Sequence, residues 1–434
     1  MREMKDSGIA WIGVIPQDWE IVRTKSLYCS AKEIAGDRAD DFERLALTLN
    51  GVIKRSKEDS VGLQPEKFSG YQILKKGELV FKLIDLENVA TSRVGLSPYT
   101  GIVSPAYIVL SKQSRAKDLV VRYSMYHFLS MWQREIFNQM GDNGVRSSLN
   151  AKELLNIPHP FPSIYEQKRI VTFLDAQCAE IDTVLEKTRA SIEEYKKLKQ
   201  AVITQAVTKG IRGDRRMKDS GIEWIGDIPK EWDCKKVKYV TSISRGIFNH
   251  RPRNDERYYG GEYPFIQTGD VADAQKYIES YSQTLNELGK SVSKCFPKGT
   301  LTMTIAANVG DAAILGFDAF FPDSVVGFIP NADINDEYLY YIFKAMKPEF
   351  VRTAIKSTQL NLNVERIRDL FVPVVVQKSE QLEIAEYLNT KCADIDALIA
   401  KKQQYLTEIE NYKKSLIYEY VTGKKEVKTS VLAD

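Results

Sequence analysis

Met4-Lys5-Asp6-Ser7-Gly8-Ile9 opens a stretch that continues through Trp11-Ile12-Gly13, Ile15-Pro16 and Trp19. The same text returns as Met217-Lys218-Asp219-Ser220-Gly221-Ile222, Trp224-Ile225-Gly226, Ile228-Pro229 and Trp232. Two tryptophans at fixed spacing are hard to match by chance, so the stretch records an internal duplication. A second set repeats further along. Glu166-Gln167 returns as Glu380-Gln381, Cys178 as Cys392, Ile181-Asp182 as Ile395-Asp396, and Val207-Thr208 as Val421-Thr422. Between these flanks the match fades but survives. Tyr126, Phe128 and Met131 correspond to Tyr341, Phe343 and Met346, Ile157-Pro158 to Val372-Pro373, and Lys76-Gly77 to Lys298-Gly299. The 434 residues read as two copies of one module. Each copy has a divergent domain of about 140 residues and a more similar tail of about 45.

The tails read as long helices. Glu166 to Thr208 contains no proline or glycine, and its apolar residues follow 4–3 heptad spacing. The seam is Leu174, Cys178, Ile181, Leu185 and Ile192 in the first copy. In the second it is Leu388, Cys392, Ile395, Ile399, Leu406 and Ile409. Polar breaks fall at matching places, Thr188 with Lys402 and Lys199 with Lys413. A helix of about 42 residues is roughly 60 Å long and cannot bury such a stripe alone. The two helices are expected to pair. The pairing should be antiparallel, because one globular domain lies between them. The seam lysines are expected to snorkel to solvent. Pro158, Pro160 and Pro162 read as a stiff lead-in to the first helix, and Gly210 with Gly213 as its exit.

The domains read as α+β with a curved sheet. Strands are expected at Gly77–Ile84 and Gly101–Leu110 in the first copy. In the second they are expected at Tyr263–Gln267, Thr300–Ile305, Ala312–Leu315 and Ser324–Ile329. Leu119–Phe137 and Asn335–Lys347 read as helices. The copies differ most in stretches suited to exposed loops. Leu49 to Arg55 is one, and Ser244 to Arg257, where four arginines face Asp255 and Glu256, is another. Tyr258-Tyr259 follows, and arginines beside aromatics suit phosphate and base contacts. A solvated surface loop explains the same composition.

Composition excludes several classes. Hydrophobic residues make up 43% and charged residues 27%, which rules out bulk disorder. The net charge of +3 neither announces nor excludes a nucleic-acid binder, since a local patch matters more than the sum. Five scattered cysteines without a C-x-x-C fit a reducing, cytoplasmic compartment better than a disulfide framework or zinc cluster. The polar start carries no visible signal peptide, and the longest apolar runs are too short to span a bilayer. No metal site is expected, because His127, His159 and His250 do not pair at ligand spacing. His127 and His159 read as structural, while His250 sits in the basic loop. No Walker A motif, no Pro-Pro of an adenine-methyltransferase tetrad and no G-x-S-x-G elbow is present. Two domains held apart by a rod, without a catalytic signature, argue for recognition rather than chemistry.

The duplicated opening resembles the specificity subunits of Type I restriction–modification enzymes. So do the Pro-rich Ile157–Gln167 stretch, the Ile-Asp and Val-Thr helix text, Tyr258-Tyr259-Gly260-Gly261 leading to Gly269-Asp270, and Gly101–Tyr107. Val374-Val375-Val376 departs from the pattern, standing where prolines are expected. The resemblance implies target-recognition domains at 1–162 and 213–376, spacer helices at 163–212 and 377–424, and a tail at 425–434. Each domain would read one half of a bipartite site on double-stranded DNA. The helices would set the spacing and dock two modification subunits, giving an internal pseudo-two-fold repeat. Partner subunits would supply S-adenosylmethionine, ATP and Mg2+ chemistry, and this chain no catalytic residue. Candidate DNA contacts follow from which side chains read guanine or adenine. They are Lys54, Arg55, Lys82, Arg93 and Arg146 in the first domain, and Arg245, Arg251, Arg253, Gln267 and Asn308 in the second. A coiled-coil adaptor with protein-binding domains is the alternative.

Overall fold

The computed structural model describes residues 2–49, 51–59, 67–84, 86, 93–140, 148–250, 255–306, 308–356 and 360–427, with the side chains of 93, 355, 356, 360 and 361 excepted. Both copies of the duplicated stretch form the same hairpin. Met4–Asp6 pairs antiparallel with Val14–Pro16, and Met217–Asp219 with Asp227–Pro229. The repeated letters build its turn. Asp6 Oδ1 accepts the Gly8 N–H at 3.0 Å and Ser7 Oγ the Ile9 N–H at 3.1 Å. Asp219 and Ser220 hold Gly221 and Ile222 at 2.9 and 3.1 Å. Gly8 and Gly221 adopt φ of +69° and +68°, a region that a Cβ disfavours. Trp19 and Trp232 close each hairpin onto its core at 1% exposure.

Beyond the hairpin the two domains share one topology. The first sheet runs Gly51–Arg55, Arg44–Thr48, Gly101–Val103, Gln72–Leu74 in one domain. In the other it runs Gln283–Leu285, Tyr259–Phe265, Ala319–Phe320, Cys295–Phe296. In both, the middle two strands are parallel and the outer pairings antiparallel. The second sheet runs Tyr28–Cys29, Ile108–Lys112, Leu79–Lys82, Arg93–Leu96. Its counterpart runs Thr241–Arg245, Val325–Pro330, Leu301–Thr304, Ala312–Leu315, with Tyr277–Ile278 added at the edge. One helix packs beneath each second sheet. Val121–Gln133 brings Tyr123 and Phe128 against Phe81 and Leu110, and Asp336–Ala345 brings Tyr338 and Phe343 against Met303 and Phe328. The duplication therefore persists where the sequence match has faded.

Some strands differ from expectation. Gly101–Leu110 is two strands in different sheets, broken by a turn in which the Tyr107 N–H donates to the Ser104 carbonyl at 3.1 Å. The strand expected at Tyr263–Gln267 runs Tyr259–Phe265 instead, and Gln267 precedes a short helix, Thr268–Asp273. Two of the three prolines in the stiff lead-in to the first helix, Pro158 and Pro160, lie in a strand. Pro158–Phe161 is a strand paired with Glu20–Arg23, and a two-stranded ribbon has room for prolines whose missing N–H would otherwise break a ladder. Phe371–Val374, which keeps Pro373, pairs with Asp233–Lys236 in the same way.

The long helices span Ile164–Lys209 and Lys378–Val421. Two compact units divide them: residues 1–189 with 404–434, and residues 190–403. In the first unit the partners Phe173–Tyr420, Asp182–Lys413 and Arg189–Glu410 run in opposite numerical order, so the helices are antiparallel. In the second, Tyr195–Lys402 and Lys199–Asp396 run likewise. Leu174, Cys178, Ile181, Leu185 and Ile192 are buried, as are Leu388, Cys392 and Ile395. Ile399, Leu406 and Ile409 are only half-buried. The seam lysines carry their ammonium groups to the exposed edge of the helix pair, where each meets a carboxylate. Lys199 Nζ donates to Asp396 Oδ2 at 2.6 Å, and Lys413 Nζ to Asp182 Oδ1 at 2.6 Å. Each carboxylate comes from the repeated Ile-Asp dipeptide of the facing helix.

The Glu-Gln dipeptide joins each helix to its domain. Fully buried Gln167 accepts the Val120 N–H at 2.8 Å and donates to the Asp118 and Pro162 carbonyls. Gln381 accepts the Asn335 N–H at 2.8 Å and donates to the Asp333 and Val375 carbonyls. Each glutamine satisfies backbone groups at the start of the domain's main helix that burial would otherwise leave unpaired. Glu166 binds Arg2 and accepts the Trp19 indole N–H at 2.9 Å, while Glu380 binds Arg215. Arg2 also pairs with Asp18 at 2.7 Å, and Arg215 with Glu231 at 2.6 Å.

Candidate nucleic-acid interface

In the first domain, Lys54 and Arg55 lie on the outer strand Gly51–Arg55. Lys54 Nζ is 2.6 Å from Glu43 and 5.3 Å from the centre of the Tyr99 ring. Hydrogen bonding to Glu43 raises the pKa of the Lys54 ammonium. Arg55 Nε donates to Asp59 at 2.7 Å. These side chains border a cleft of about 570 Å3, with Asp40, Glu43, Arg44 and Lys57 on its other walls. Arg44, buried at 8% exposure, lies 5.6 Å from the Phe68 ring centre. Lys82 ends the strand Leu79–Lys82, and its backbone pairs with that of Arg93. The Arg93 side chain and all of Arg146 lie outside the described residues.

In the second domain, Arg245 ends the strand Thr241–Arg245 and is exposed. Its Nε donates to the Asp323 carbonyl. Lys294 Nζ donates to Ser244 Oγ at 2.6 Å. Phe248 inserts among Tyr258, Tyr259 and Phe265, with ring centres 5.3 to 6.1 Å away. His250 stacks on Tyr258 at 4.0 Å and places Nε2 3.0 Å from Asp255 Oδ2. Arg257 binds the same carboxylate at 2.7 Å, and hydrogen bonding from this guanidinium holds Asp255 well below the usual carboxylate range. His250 is thus tied into the base of the basic loop. Arg251 and Arg253 lie outside the described residues.

The remaining candidates are separated. Gln267 flanks Thr268–Asp273 and donates through Nε2 to Gln283 at 2.8 Å. Asn308 is exposed in the loop between Leu301–Thr304 and Ala312–Leu315, where its carbonyl accepts the Asp311 N–H at 3.2 Å. That loop leaves the same end of the sheet as Arg245, because Thr304 pairs with Val325 and Arg245 with Val326. The sheet register therefore gathers Arg245 and Asn308, which the sequence leaves unrelated. It also brings in Lys294, which sequence reasoning missed, because Lys294 meets Ser244 across 50 residues of chain.

Comparison with known proteins finds relatives of one kind. The Type I restriction modification DNA specificity domain matches residues 229–411. The Type I restriction enzyme MjaVIII specificity subunit of Methanocaldococcus jannaschii is 24% identical over 432 residues, covering 95% of this chain and 94% of its own length. The MjaIX specificity subunit of the same organism is 30% identical over 187 residues, 42% of this chain and 41% of its own. A solved structure addressing complex assembly and conformational transition of the type I R-M system has a chain with the same fold. It aligns at a TM-score of 0.71 and 14% identity, covering 95% of this chain and 99% of that one. Over nearly its whole length the chain is similar to Type I specificity subunits.

The two sheet ends carry cations and aromatics, whereas two of the three histidines are internal. His127 and His159 are buried, with ring centres 4.5 Å apart. His159 Nε2 lies 2.9 Å from Ser124 Oγ and Nδ1 lies 2.8 Å from the Pro160 carbonyl. Burial pushes the His159 pKa down to about 4 and that of His127 well below its ordinary value. Among the described residues no three His, Cys, Asp or Glu side chains gather as a metal site would require. Nor is any helix among them long and apolar enough to cross a membrane.

Proposed function

We propose that this chain selects the DNA site of a Type I restriction–modification complex, each domain reading one half of a bipartite sequence. One observation carries the reading: two domains of one topology present different side chains at corresponding sheet ends. Equal scaffolds with unequal contacts suit two different half-sequences. The helix pair sets the separation of the halves and docks two modification subunits. Those subunits supply the S-adenosylmethionine and the base flipping that methylation of a stacked base requires. Restriction subunits supply ATP- and Mg2+-dependent cleavage. Docking is supported by apolar side chains that the coiled coil leaves uncovered at one heptad position. Val184, Tyr405 and Tyr412 keep 38, 48 and 54% exposure in the first unit, and Leu198 and Leu398 keep 48 and 42% in the second.

The test is a salt titration of binding to DNA fragments carrying and lacking the mapped site, with the modification subunits present. Site-selective binding whose logarithm falls linearly with log salt is expected. Binding without site preference would favour the adaptor alternative.

A further inference from the structure

The last turn before the second sheet's central strand is built alike in both domains. Residues 104–107 link Gly101–Val103 to Ile108–Lys112. Residues 321–324 link Ala319–Phe320 to Val325–Pro330. In each domain a cation is laid against a carbonyl of this turn. Lys32 Nζ donates to the Pro105 carbonyl at 2.8 Å. Arg245 Nε donates to the Asp323 carbonyl. The two cations are 213 positions apart, the offset of the duplicated opening, and both are exposed. Of the residues beside them only Ile34 and Ile247 match, so the fold carries the correspondence.

We propose that Lys32 and Arg245 are the equivalent specificity-determining positions of the two domains, and that Arg245 reads a guanine in the half-site of the second. The inference rests on the DNA-recognition reading above. Arginine carries five N–H donors in a planar fork. Anchoring Nε on a carbonyl leaves the Nη1 and Nη2 edge to present two donors in one fixed plane. That edge matches guanine O6 and N7. The anchor also removes rotamer freedom before binding, which lowers the entropic cost of the contact. Gly246 makes the approach possible, since a Cβ there would lie 2.3 Å from the Pro322 carbonyl. Lysine at the corresponding place has no fork. Lys32 keeps two of its three donors and a round charge, so the first domain reads its base with less geometric demand.

The experiment is methylation-site mapping on a random-sequence DNA library, using the full chain with its modification subunits. Arg245→Ala, Arg245→Lys and Lys32→Ala are compared with the wild-type chain. For Arg245→Ala we expect about 5- to 150-fold loss of discrimination at one guanine of one half-site, with the other half unchanged. Arg245→Lys keeps the charge and should still lose most of that discrimination. Lys32→Ala should relax one position of the opposite half. Uniform weakening with an unchanged preference would mark phosphate contacts and overturn the proposal. So would full retention of both half-sites. A wild-type complex with no sequence preference would instead overturn the DNA-recognition reading itself.

Discussion

Buried histidines contribute to the acid response of the first unit. The depressed pKa values of His127 and His159 mean that the folded protein binds fewer protons than the unfolded chain between about pH 6.5 and 4. Their contribution is fully present above pH 6.5 and is lost as pH falls through that window. For His159 the loss is about 3 kcal/mol by pH 4. Urea unfolding of the chain at pH 7 and pH 5 should therefore show the first unit weakening more than the second. His127→Phe, which keeps a ring beside Phe128 and Trp11, should reduce that difference; an unchanged difference would sink the explanation. Their structural role was legible in the sequence, because both sit in apolar text. The ring-to-ring contact was not, since it joins a helix to a strand that the prolines disguised.

At the level of elements, the long helices were readable because heptad spacing is local and is written twice. The sheets were less so. Strand order depends on partners far apart in sequence, as Arg44 beside Ile102 and Phe265 beside Phe320 illustrate. The helix ends were also obscure, since Gln167 and Gln381 work through backbone groups about 47 residues away in sequence. The antiparallel pairing has a direct consequence for spacing. Seven residues inserted between Arg189 and Tyr195, with seven more between Lys402 and Glu410, preserve the heptad on both helices. Methylation-site mapping of this variant should give a longer spacer between unchanged half-sites. An unchanged spacer would remove the ruler role.

For the whole molecule, modularity follows from where the anchoring residues lie. Arg215 and Glu380 flank the second domain from outside residues 230–372, so a domain exchanged across that interval keeps this pair. Replacing 230–372 with the corresponding segment of a relative of different specificity should change one half of the methylated site only; altered specificity in both halves would contradict independent reading. The candidate interface was legible as composition, in the arginines of Ser244–Arg257, but not as geometry. Lys32 and Lys294 carry no sequence mark, because the carbonyl and hydroxyl that orient them arrive from distant parts of the chain. The two helix-to-helix lysine bonds are reciprocal, each repeat giving its lysine to one and its aspartate to the other. A single repeat is therefore self-complementary. Once it is present twice in one chain, a change in either copy disturbs one bond and spares the other, and the two recognition domains are free to diverge on a frame that still closes.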